Sequence, residues 1–138
     1  MKRTLALSFL LFFPLLLAFQ GCEFTQFEPD GIIITAESVR IAWDPPGVTD
    51  DTQAPVIAYK VYYRLHGMAD WTLLDLIPAV QNPGYTINYK EFGNGSYDFA
   101  VQAVSSDIRQ SNLHSSLDFD ADPLGGWYVI WIRFENEQ

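Results

Sequence analysis

Few residues in this chain have the types and spacing that chemistry requires. His114, Ser115 and Ser116 set a base beside two hydroxyls, but a nucleophile and its base must meet within about 3 Å and be oriented by a third group. Neighbours on an extended chain point apart, and no nucleophile-elbow glycine pattern surrounds these serines. In LDFDADPLGG, Asp118, Asp120 and Asp122 alternate as calcium-loop ligands do. An EF-hand loop needs glycine at its sixth position and a bidentate glutamate at its twelfth, and Pro123 and Val129 stand there instead. The three aspartates are therefore candidates for another kind of calcium site, against the plainer reading of a solvated acidic loop, and Asp50 and Asp51 read the same way. His66 reads as an exposed turn residue, and two histidines without HExxH or cysteine spacing give no metal signal. The glycines of FGNGS are turn residues rather than a phosphate cradle. These residues predict a protein that is not an enzyme and holds no cofactor or metal.

The one cysteine, Cys22, cannot form an internal disulfide, and an unpaired thiol in an exported protein calls for an explanation. Met1, Lys2 and Arg3 precede the uncharged run TLALSFLLFFPLLLAF, and the small Gly21 precedes Cys22. That is the layout of a secretory signal. A membrane-spanning helix needs about 20 apolar residues, whereas Leu5 to Phe19 supplies 15 with the helix-kinking Pro14 among them. A small residue and a cysteine directly after the apolar run resemble a bacterial lipobox, where signal peptidase II cuts and the new N-terminal cysteine is acylated. Phe19 and Gln20 depart from the usual leucine and small residue; the alternative is an ordinary signal peptide and a free thiol. The resemblance implies a signal peptide over 1–21, a covalent lipid on Cys22 with a short tether over 22–30, and a domain over 31–138. It places the protein in the bacterial cell envelope, attached to a membrane through its lipid anchor.

Removal of 1–21 leaves 117 residues, enough for one domain and one core. It also removes Lys2 and Arg3, taking the formal charge from −9 to −11. That balance argues against nucleic-acid binding and against a polybasic hold on anionic lipid, so attachment would come from the acyl chains.

The elements that must position any site read as strands. No sustained helical period follows the apolar segment, while several runs alternate with period two and are separated by turn residues, which predicts an all-β sandwich. The expected strands are Gly31 to Thr35, Ser38 to Asp44, Ile57 to Leu65, Trp71 to Ile77, Tyr85 to Tyr89, Tyr97 to Val104, and the last from Gly126 through WYVIWIRF. Val39, Ile41 and Trp43 share one face, as do Ile57, Tyr59, Val61 and Tyr63, and Tyr97, Phe99, Val101 and Ala103. The loop PPGVTDDTQAP cannot continue a ladder.

Three patterns in this order resemble the fibronectin type III family: V-x-I-x-W-D-P-P over Val39 to Pro46, Y-x-V-x-Y over Tyr59 to Tyr63 followed by Arg64 and Trp71, and Y-x-F-x-V-x-A-V over Tyr97 to Val104 after FGNGS. The resemblance covers roughly Ile32 to Phe134. It implies an immunoglobulin-like sandwich of about seven antiparallel strands, a core of Trp43, Tyr59, Val61, Phe99 and Val101, and a corner tyrosine, Tyr97, whose hydroxyl bonds back to upstream backbone. No RGD is present, so the integrin-binding mode of some members does not carry over.

Two features depart from the family. The connection from Ser105 to Gly125 is about 21 residues long, a length that tends to be functional or disordered. The last strand is apolar on both faces, and the reading puts Tyr128, Ile130, Ile132 and Phe134 inward. That leaves Trp127 and Trp131 outward, available with Trp71 and Phe119 to anchor a protein partner or, alternatively, to stack on sugar rings as a carbohydrate-binding module does. The competing reading packs them beneath the long connection.

Overall fold

The computed structural model describes residues 28–46 and 54–134. Cys22, the apolar segment before it, and Asp50 and Asp51 lie outside the described residues. The described chain is all-β: β1 (Asp30–Ile34), β2 (Ser38–Ala42), β3 (Val56–Leu65), β4 (Thr72–Pro78), β5 (Gly84–Asn88), β6 (Gly95–Ser105), β7 (His114–Ser115) and β8 (Trp127–Trp131), with one helical turn, α1 (Tyr89–Phe92), before β6. A large sheet runs β1-β8-β6-β3-β4, with β7 also paired to β6, and β2 and β5 form a small second sheet. The two sheets meet face to face over one core in which Ile41 and Ile87 of the small sheet pack on Val61, Tyr97, Phe99, Val129 and Trp131 of the large one.

The long central strands form where alternation is cleanest. Along β3, Tyr59 and Val61 are buried, whereas Ile57 is 53% exposed rather than inward. The β3–β6 register shifts between Val56 and Ala58, so Ile57 is the extra residue of a bulge and the alternation begins only after it. The pairings are antiparallel apart from β1, which lies parallel to β8, Asp30 opposite Trp127 and Ile34 opposite Trp131. That corrects the expectation of a wholly antiparallel sandwich, and it makes β8 an interior strand.

The phase of β8 is the reverse of the expected one. Tyr97 pairs with Val129 and Gly95 with Trp131, and residues opposite each other in a ladder share a face. Because Tyr97 points into the core, Val129, Trp127 and Trp131 must point in with it. Trp131 is 0% exposed and Trp127 packs against the core, while Ile132 and Phe134 lie beyond the strand's end and are exposed. The indole tolerates burial because its Nε1 donates to the Ala36 carbonyl at 2.8 Å. On the outer face, Tyr128 and Ile130 fold over Gly31 of the neighbouring β1, where a Cβ would come within 2.7 Å of the Ile130 Cδ1.

The 21-residue connection is not one loop. Ser105 donates to the Arg109 carbonyl and Val104 bridges Gln110, which closes a tight hairpin right after β6. From there the chain runs antiparallel to β6 through Ser111 and β7 to Ser116, whose amide donates to the Phe99 carbonyl at 2.7 Å. Ala100 pairs with Ser115 and Tyr97 with Val129, so three residues back along β6 correspond to fourteen forward in the chain, eleven more than an unbroken ladder takes. Residues 110–116 and β8 are therefore two halves of one last strand, interrupted by an excursion over residues 117–126. The interruption is pinched at its neck: Trp127 donates to the Ser116 carbonyl at 2.7 Å. Gly126, at φ +86°, approaches so closely that a Cβ there would meet the Leu117 carbonyl at 2.7 Å.

Candidate functional site

Among the described residues the small sheet has two strands, so β2 has a described neighbour on one side alone. Val39 and Ile41 form hydrogen-bonded pairs with β5, and the Trp43 amide donates to the Pro83 carbonyl. By the alternation of an antiparallel ladder, the N–H and C=O groups of Ser38, Arg40 and Ala42 point the other way, to a free edge. Below that edge the inner face of β6 continues past the core.

A cleft of about 600 Å³ opens there. Its floor is apolar, made by Ile41, Trp43, Tyr59, Phe99, Val101 and Trp127, and its rim carries Asp44, Asp118, Asp120 and Asp122 with His114. Val101, expected in the core, is only partly buried because the small sheet ends before covering it. Trp43 packs edge-on against Tyr59, ring centroids 5.4 Å apart, and its buried Nε1 has no hydrogen-bond partner among the described residues. An indole N–H left so forgoes about 1–3 kcal/mol that an acceptor would recover.

The rim belongs to the interruption of the last strand, a compact loop closed by its own backbone. Asp118 accepts from the Ser115 amide at 2.9 Å, Ala121 donates to the Asp118 carbonyl and Gly125 to the Phe119 carbonyl, as in an Ω-loop. Phe119 is 61% exposed on it. Among the described residues no group of three or more His, Cys, Asp or Glu side chains is placed to hold a metal ion, and the alternating aspartates lie along the rim. In the run His114, Ser115, Ser116, the Ser116 Oγ accepts from the Phe99 amide at 3.1 Å and the Ser115 Oγ from the Leu117 amide, so both hydroxyls serve the backbone.

The remaining aromatic candidates are separated. Trp127 reaches the cleft from the core side, Trp131 is sealed inside, and Trp71 lies half-buried with the Arg64 guanidinium 4.1 Å over its ring. The expected outward pair Trp127 and Trp131 is thus corrected to an inward pair. The Tyr97 hydroxyl donates to the Phe92 carbonyl at 2.6 Å, with the Gly93 carbonyl 3.0 Å away, and burial raises its pKa above the ordinary tyrosine value. It ties β6 to the turn before it.

The outer face of the large sheet holds a cluster that alternation alone does not reveal. Asp98 is fully buried, with Arg64 Nε at 2.9 Å and His66 Nδ1 at 2.7 Å from its two oxygens. His66 in turn stacks on Tyr128 at 3.9 Å. A carboxylate partnered on both oxygens satisfies the requirement for burying charge, so the cluster reads as a clasp joining β3, β6 and β8. The signal for it lay in the opposite placement of Arg64 and Asp98 on paired strands.

No protein-family model matches the chain, and no curated protein sequence matches it.

Proposed function

We propose that this chain is a non-enzymatic bacterial lipoprotein, tethered through an acylated Cys22, whose fibronectin type III-like domain binds a protein partner at the cleft beside β2. The family reading is supported by its three motifs and by their places in the sandwich: Trp43 follows β2, Tyr59 to Tyr63 lie on β3, and Tyr97 to Val104 lie on β6. The β1–β8 parallel pairing and the interrupted last strand are this domain's own departures. The single observation that carries the binding reading is the cleft itself: an apolar floor left open between two sheets, with a free strand edge above it and a structured loop at its rim. A concave site with an apolar floor and a few polar groups at its rim is the usual form of a binding site.

The tether supports the same reading. Asp30, the first residue of β1, donates to the Gly126 carbonyl at 3.0 Å, so a chain from Cys22 reaches the domain at the neck of the loop that rims the cleft. Eight residues extended reach about 26 Å, which would keep Asp30, at the start of β1, within that distance of an anchored Cys22. The sugar-binding alternative loses Trp131, which is sealed inside, while Trp127 packs on the core and also lines the cleft.

The test is affinity capture of the full chain from native membranes, beside a variant with residues 119–124 replaced by a Gly-Ser pair. The expected result is a partner lost from the shortened variant; the same partners captured by both would overturn the cleft as the site. For the anchor, Cys22→Ser is expected to abolish lipid labelling and release the protein from membranes, and retention would overturn acylation.

A further inference from the structure

The described sheets end in four strands, β1, β4, β2 and β5, and these edges are not equivalent. On β4 the Leu76 amide is taken by the Asp75 side chain at 2.8 Å and the strand ends in Pro78, devices that block edge pairing. No residue of β1 or β5 lines the cleft. The β2 edge has unpaired N–H and C=O groups on alternate residues, an apolar floor beneath where an added strand would lie, and carboxylates at the rim. The only cation on β2, Arg40, is turned the other way: it lies over Gly84 of β5 and donates to the Asn82 carbonyl at 3.1 Å. Asp44, Asp120 and Asp122 have no ion-pair partner among the described residues.

We infer that the cleft takes an extended polypeptide segment of alternating apolar and basic residues, which adds as a third strand to the free edge of β2. Its backbone pairs with Ser38, Arg40 and Ala42, its apolar side chains fill the floor against Phe99 and Val101, and its cations meet the rim carboxylates. Main-chain pairing supplies affinity in such strand addition and the alternate side chains supply selectivity. Opposed charges steer the encounter and exclude acidic segments. The buried N–H of Trp43 gains an acceptor if a carbonyl of the incoming segment reaches it. This inference rests on the reading of the cleft as a protein-binding site, and it names the chemistry of the partner.

The experiment uses the full chain in detergent micelles with three ten-residue peptides: alternating Lys and Val, alternating Glu and Val, and the Lys-Val peptide with alternate backbone amides methylated. The Lys-Val peptide is expected to bind at least about tenfold tighter than either of the others and to slow amide exchange at Arg40 and Ala42. The double substitution Asp120→Lys, Asp122→Lys, on exposed or rim positions, is expected to reverse the charge preference. Absence of Lys-Val binding, equal binding of the Lys-Val and Glu-Val peptides, or binding that leaves β2 exchange unchanged each overturns the inference. A native partner captured through the cleft with β2 exchange unaltered overturns it while leaving the binding module in place; the lack of any cleft-dependent partner overturns the binding module itself.

Discussion

Trp131 and Trp71 are the same residue type in opposite situations. Trp131 is enclosed by Phe92 and Tyr89 with its N–H bonded to Ala36; Trp71 has one face under a guanidinium and the rest near solvent. Trp131→Ala is therefore expected to cost about 3–5 kcal/mol of stability in chemical denaturation, and Trp71→Ala about 1 kcal/mol or less. Equal costs would contradict the assignment of β8's inner face. A second residue-scale effect sits in the hairpin after β6, where Arg109 and the Ser105 hydroxyl hold the Asp107 carboxyl at about 2 against an ordinary 3.8. A depressed folded value means that the contribution is complete above 3.8 and is lost as pH falls through about 2. The Ile108 amide, which donates to the Ser105 carbonyl, is expected to lose exchange protection across that window and not above it. Protection that is flat from pH 5 to 2 would contradict the pairing.

At the scale of elements, the strands that the sequence revealed are those with clean alternation and a polar face. β3 and β6 could be read from Tyr59, Val61, Tyr97 and Phe99 because their intervening residues are polar or charged. β8 could not be phased from sequence, since WYVIW is apolar at every position and period two then has no sign; only its register against Tyr97 decides the face. The first half of the last strand was hidden for the opposite reason. Its residues 110–116 read QSNLHSS, poor in β-branched and aromatic side chains, and they are extended because β6 presents an unpaired edge to them. The cleft was invisible because it depends on how few strands the small sheet has. Gly126 tests this description of the interrupted strand: Gly126→Ala places a methyl against the Leu117 carbonyl at positive φ. It is expected to destabilise by about 1–3 kcal/mol and to speed exchange of the Trp127 and Asp30 amides, both bonded across the neck. Unchanged exchange there would mean that the neck is not closed.

For the whole molecule, one fully covered core and one uncovered stretch of inner sheet divide stability from binding. Core, clasp and corner tyrosine hold β3, β6 and β8 together, whereas the cleft is bounded by an edge strand and a loop, 117–126, that places no residue in that core cluster. Among the described residues no helix is long and apolar enough to cross a membrane; the proposed attachment is through Cys22, which lies outside them. Asp30, at the start of β1, bonds to Gly126 at the end of the rim loop, so the proposed tether would enter the domain beside that loop. The central claim, that this cleft is where the protein meets its partner, is tested most directly by site-specific photocrosslinking in native membranes. A photoreactive side chain at Ala121, which lines the cleft, is compared with one at the exposed Thr72 of β4. The account predicts a discrete crosslinked protein from position 121 and none from position 72; crosslinks from 72 alone, or the same product from both, would contradict it.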